Sequence, residues 1–131
     1  MNFEDKNFWT EWPTATTDNF ENLNDFINIL AICHTIIIET KDSVIYYNAS
    51  SPDELALTNA ARHFGVIFES RDEDGNIIIY NKHLDQRFKY QLLNVIEFTS
   101  TRKRMSVIVK TPENKIICMT KGADSIMIPR L

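Results

Sequence analysis

Apolar residues along the chain follow two rhythms, one helical and one alternating, and the changes between them mark the elements. Residues 1–17 follow neither. Phe3, Phe8, Trp9 and Trp12 are scattered there among Asp, Asn and Thr, so the stretch reads as an irregular N-terminal segment, either docked through its aromatics or a tail. From Asp18 the spacing turns helical: Leu23, Phe26, Ile27, Leu30 and Ala31 make one apolar face. Asp18 with Glu21 has the spacing of a capping box. The helix should end near Cys33 and His34, where the β-branched run Thr35-Ile36-Ile37-Ile38 favours an extended chain. Val44–Tyr47 is a short strand. At Ser51-Pro52-Asp53-Glu54 a second helix begins, with Ser at the cap, Pro at the first helical position and Glu three residues after the cap. Leu57, Ala60, Ala61 and Phe64 supply its buried face, and Gly65 stops it.

After Gly65 the alternating rhythm takes over. Val66–Phe68 and Ile77–Tyr80 read as strands joined through a turn at Asp74-Gly75. A polar link leads to a strand over Tyr90–Phe98, then a basic bend at Arg102-Lys103-Arg104. Met105–Lys110 and Lys115–Thr120 pair around Pro112-Glu113-Asn114, and Lys121-Gly122-Ala123-Asp124 leads into a last helix. The expectation is an α+β domain over residues 18–131, a twisted, mainly antiparallel β-sheet flanked by helices, with its last helix cut short at the C-terminal end.

Composition narrows the function classes. With 131 residues and 44% hydrophobic content the chain suits one core. A net charge of -4 argues against a protein that grips nucleic acid. Cys33 and Cys118 form no CxxC pair, so a reducing setting is expected, and with only three scattered histidines a structural zinc site is not. No stretch approaches the roughly 20 apolar residues of a spanning helix, and no signal pattern opens the chain. The chain as given therefore reads as soluble.

Three clusters could carry chemistry. None is a phosphate-cradling loop: with three glycines the chain has no GxxxxGK[ST] and no GxGxxG, and it has no GxSxG elbow. A bound nucleotide would have to be held by side chains at its base. In the first cluster Glu54 either reaches back to the Ser51 amide as a capping residue or accepts a hydrogen bond from an adenine amine, since an ionised carboxylate only accepts. In the second, Phe98 is either a core aromatic or a stacking platform for a base, which contributes about 1–3 kcal/mol. Ser100 could bond ribose or phosphate and Lys103 could bring a cation there, whereas any one of Arg102, Lys103 and Arg104 reads first as part of a solvated surface turn. In the third, Lys121 either reaches into a site past the small Gly122 and Ala123 or is an exposed residue of a strand-to-helix turn.

In succession, Ala31-Ile32-Cys33-His34-Thr35, Ala49-Ser50-Ser51-Pro52-Asp53-Glu54, Leu92-Leu93-Asn94-Val95-Ile96-Glu97-Phe98, Arg102-Lys103-Arg104-Met105-Ser106-Val107-Ile108-Val109 and Lys121-Gly122-Ala123-Asp124 closely resemble the nucleotide-binding (N) domain of P-type ATPases. The segments around Glu54 and Arg102–Val109 are most similar to the phospholipid-transporting subfamily, the flippases. The resemblance implies that the domain binds ATP, as Mg-ATP with metal ligands from a separate phosphorylation domain, and delivers the γ-phosphate to an aspartate there. An actuator domain, transmembrane helices and an accessory subunit would be its partners in the whole pump, making it a cytosolic domain of an integral membrane protein. Matched position by position, Glu54 contacts adenine, Phe98 stacks on it, Ser100 and Lys103 line the ribose and phosphate side, and Lys121 closes the pocket. The phosphorylated DKTGT motif is absent, and Leu55 stands where the family has Gly. The resemblance thus implies no catalytic residue here, no turnover by the chain alone, and weak ATP affinity. An N domain of a cation-transporting or orphan pump, and a protein-interaction module without nucleotide, are the alternatives.

Overall fold

The structure, a computed structural model, describes residues 4–6, 8, 18–42 and 44–131. Helix α1 (Asp18–Ile32) leads into a hairpin of β1 (Ile37–Lys41) and β2 (Val44–Asn48). Helix α2 (Pro52–His63) follows, and then a five-stranded antiparallel meander in the order β3 (Val66–Arg71), β4 (Ile77–Asn81), β5 (Gln86–Ile96), β6 (Arg104–Lys110) and β7 (Ile116–Gly122). The described chain closes with α3 (Asp124–Met127) and a 3-10 turn at Ile128–Arg130. This is the expected α+β architecture, divided into two sheets instead of one.

The core lies between the two long helices and one face of the meander. Ile27, Leu30, Ala31 and Ile32 of α1 and Ala60, Ala61 and Phe64 at the end of α2 meet Val66, Phe68, Ile77, Ile79, Val107, Val109 and Met119. The alternating rhythm of β6 explains its share: Met105, Val107 and Val109 are buried on one side of the pleat. The β1–β2 hairpin would be marginal alone. The Tyr47 hydroxyl anchors it by donating to the Phe68 carbonyl at 2.7 Å.

Helix α2 starts as expected. Ser51 caps it by accepting from the Glu54 amide at 3.4 Å, and Pro52 occupies the first turn. Leu55 donates to the Ser51 carbonyl at 3.2 Å as an ordinary helical residue, a position that suits Leu better than Gly. Gly65 has φ 92°, and a side chain there would meet the His83 ring at 2.6 Å, so both conformation and space demand glycine.

Some expectations shift. Phe26 is 55% exposed and Leu57 is also exposed, while Thr58 takes a buried place on α2 by donating to the Leu30 carbonyl. The strand expected over Tyr90–Phe98 begins earlier, at Gln86, and ends at Ile96, before Phe98. Of the N-terminal aromatics, Phe8 is half-buried and packs on Phe64 with ring centroids 4.8 Å apart. Phe3, Trp9, Trp12 and the Asp18 cap lie outside the described residues or side chains.

Candidate functional site

The end of α1, the start of α2 and the end of β7 meet at one place. Glu54, in the first turn of α2, is 9% exposed. One of its oxygens, Oε2, accepts from the Thr35 hydroxyl at 3.0 Å, and the other, Oε1, lies 3.5 Å from the Lys121 ammonium. The carboxylate's partners are therefore Thr35 and Lys121 rather than the Ser51 amide, so only half of a capping box forms.

Lys121 is the next-to-last residue of β7 and shares its face with the buried Met119 two residues earlier. Its side chain is mostly buried, which sets aside the exposed-turn reading. The Nζ atom is fully buried and has no hydrogen-bond partner among the described residues. An ammonium carries three donors. The Glu54 oxygen at 3.5 Å pairs the Lys121 charge at long range and leaves its donors without a close acceptor among the described residues, and a buried donor left unsatisfied costs about 1–3 kcal/mol.

The segment before Thr35 supports this cluster. His34 is fully buried; its Nε2–H donates to the Ala31 carbonyl at 2.9 Å, and its Nδ1 accepts from the Ile36 amide at 3.2 Å. Burial lowers its pKa to about 3, against the opposing pull of the Ala31 bond and helped by the charges of Arg71 and Lys121. The neutral ring thus ties the turn between α1 and β1. Cys33, also buried, donates weakly to the Met119 carbonyl at 3.6 Å. Burial pushes its thiol up to about 11, outweighing the nearby Lys121 charge, so it is inert at neutral pH.

The remaining sequence-derived residues sit on the loop between β5 and β6. Phe98 is 60% exposed, which rules out the core-aromatic reading. Ser100 lies in the turn that Lys103 closes by donating its amide to the Thr99 carbonyl at 2.7 Å. Lys103 has φ 49°, a left-handed conformation that costs a non-glycine residue about 1–2 kcal/mol. Arg102 is no free surface cation, since its guanidinium donates to the carbonyls of Ile96, Glu97 and Arg104 and straps the loop together. Arg104 pairs with Gly122 across β6 and β7, and Met105 with Lys121. Phe98, Ser100 and Lys103 are thereby carried at the end of the sheet where Lys121 lies, although none of them bonds Glu54 or Lys121 directly. Thr35 and His34 belong to the cluster and have no role assigned from sequence. An open depression of about 300 Å³ lies at the opposite end of the meander, lined by Arg87, Phe88, Lys89, Lys110 and Pro112. It has no contact with the Glu54–Lys121 cluster.

The model of the P-type ATPase cytoplasmic domain N matches residues 22–131. The chain belongs to this family. The N domain is 45% identical over 109 residues to mouse phospholipid-transporting ATPase IK, covering 83% of this chain and 8% of that protein. It is 43% identical over 144 residues to Arabidopsis thaliana phospholipid-transporting ATPase 10, covering 100% of this chain and 11% of the relative. Against mouse phospholipid-transporting ATPase ID the identity is 46% over 109 residues, covering 82% of the chain and 9% of the relative. The N domain thus spans about a tenth of the length of these relatives. No helix among its described residues is long and apolar enough to cross a membrane.

Proposed function

We propose that this N domain binds ATP for a phospholipid-translocating P-type ATPase, through a site formed by Glu54, Phe98, Ser100, Lys103 and Lys121. The observation that carries the reading is the buried Lys121 Nζ, without a hydrogen-bond partner among the described residues and 3.5 Å from a carboxylate oxygen of Glu54. A donor without a close hydrogen-bond acceptor, beside an acceptor-only carboxylate, complements the edge of adenine, which offers a ring-nitrogen acceptor next to an amine donor. Glu54 takes the amine hydrogen and Lys121 donates to the ring nitrogen. The exposed Phe98 provides a stacking face without having to leave the core. Ser100 and Lys103 face the ribose and phosphates from the strapped loop.

When bound, ATP supplies the phosphoryl group that passes to an aspartate of a separate phosphorylation domain, which also provides most ligands for its magnesium ion. This chain's residues hold the base and leave the phosphates projecting. The chain has no DKTGT motif and does not turn over alone. In the whole protein its partners are the phosphorylation and actuator domains, transmembrane helices and an accessory subunit, and it stands on the cytosolic side. The names of the relatives favour lipid as the cargo over a cation.

A thermal-unfolding series in ATP tests this reading. Binding to the native state raises the melting temperature in proportion to the logarithm of ligand concentration above Kd. No rise at millimolar ATP contradicts the proposal and favours an interaction module without nucleotide.

A further inference from the structure

We infer, on the footing of the nucleotide-binding reading, that Thr35 is a positioning residue of the site, holding the Glu54 carboxylate in its base-reading orientation and away from its own helix cap. Glu54 stands three residues after the Ser51 cap, where a glutamate ordinarily turns back to the cap amide. The terminal torsion of a glutamate is soft, so local geometry alone does not prevent that turn. Here the carboxylate instead accepts from the Thr35 hydroxyl at 3.0 Å while its other oxygen faces Lys121. Each oxygen is thus held from a different element.

Thr35 can act as a fixed post because its neighbours on both sides are tied. The buried His34 ring bonds the Ala31 carbonyl on one side and the Ile36 amide on the other. Thr35 lies between those two anchors and is itself exposed, so its hydroxyl stands where the buried carboxylate meets solvent. A hydroxyl has one hydrogen and two acceptor lone pairs. Donating the hydrogen to Glu54 turns the lone pairs outward, and the mouth of the site then presents acceptors from two residues. That arrangement favours an amine at purine carbon 6 over a carbonyl oxygen, because a carbonyl there leaves the acceptors facing one another.

The test measures affinity for ATP and for inosine triphosphate, its 6-oxo counterpart, by amide-shift titration of the 131-residue chain. Thr35→Val keeps the shape and removes the hydroxyl. It is expected to weaken ATP about five- to tenfold and to lower the ATP-to-inosine-triphosphate preference by a similar factor. Melting should change little, since Glu54 is released to complete its capping box. Thr35→Ser should restore both affinity and preference to within about twofold. If Thr35→Val fails to fold, Thr35→Ala takes its place with the same expectations. Unchanged affinity and preference in Thr35→Val, with Glu54→Gln weakening ATP, would overturn the role of Thr35 and leave the nucleotide site standing. Equal loss for both nucleotides without rescue by Ser would also overturn it, as a purely structural effect. A wild-type chain that binds neither nucleotide overturns both readings.

Discussion

Gly122 lies directly against the carbonyl of Lys103. The next amide, of Ala123, donates to that oxygen at 3.1 Å, and a Cβ on Gly122 would stand 2.7 Å from it and 2.6 Å from the Arg104 Cβ. Neither neighbour is the far end of a flexible side chain, so neither can swing aside. This close approach couples the loop bearing Phe98, Ser100 and Lys103 to the strand end bearing Lys121. Gly122→Ala is expected to cost about 1–3 kcal/mol by overpacking. Urea unfolding measures the loss, and amide spectra without ligand should move at residues 98–104. An unaltered midpoint would mean that the strand ends separate easily and the coupling is loose.

Phe98 is exposed and strapped onto the surface only through its loop, so it can be removed without a cavity. Phe98→Ala should change unfolding free energy by no more than about 0.5 kcal/mol and weaken ATP by about 1–3 kcal/mol. Calorimetric unfolding and ATP titration of the same sample separate the two effects. A large stability loss with unchanged ATP affinity would return Phe98 to a structural role.

Glu54 and Lys121 face one another and, in the proposed site, serve one base. Lys121→Met and Glu54→Gln are each expected to weaken ATP by about 1–3 kcal/mol. The double variant should lose less than the sum, with a coupling of about 0.5–3 kcal/mol. Strict additivity in the binding cycle would mean that the two groups do not share a ligand.

The buried His34 makes stability depend on acidity. Its folded pKa of about 3 is below the ordinary 6.5, so between these values the unfolded chain binds the proton and the folded chain does not. The His34 contribution is therefore complete above 6.5 and declines as pH falls, by about 1.4 kcal/mol per unit. Urea midpoints measured from about pH 7.5 down to about pH 5 should show a loss of about 2 kcal/mol from this residue. His34→Gln should flatten that slope while lowering stability at neutral pH. A flat wild-type profile would show that the ring is not held neutral.

Features that depend on neighbours along the chain are legible in the sequence itself. Ser51-Pro52 starts α2 and Gly65 ends its turn because capping and left-handed conformation are local chemistry. Periodicity does not say how wide the buried stripe is, and so it assigns Phe26 and Leu57 to the core although the other elements leave them exposed. The start of β5 reads as a polar link because Gln86, Arg87 and Lys89 outnumber Phe88, yet Arg87 and Lys89 alternate with Phe88 and Tyr90 along a strand whose exposed side carries the charges. Its end at Ile96 reflects Arg102 binding the Ile96 and Glu97 carbonyls, a folded-back contact without a signature in spacing. Glu54 and Lys121 lie far apart in the chain, and only family resemblance pairs them from sequence. Thr35 escapes a reading of the sequence because its partner lies in another element and nothing in its own surroundings marks it.

The most direct test of the account is an amide-shift map of the labelled chain titrated with ATP. The expected result is saturable shifts at Thr35, Glu54, Phe98–Lys103 and Lys121–Ala123, with the region of Arg87–Lys89 and Lys110–Asn114 unmoved. Shifts confined to that opposite depression, or none at millimolar ATP, would contradict it.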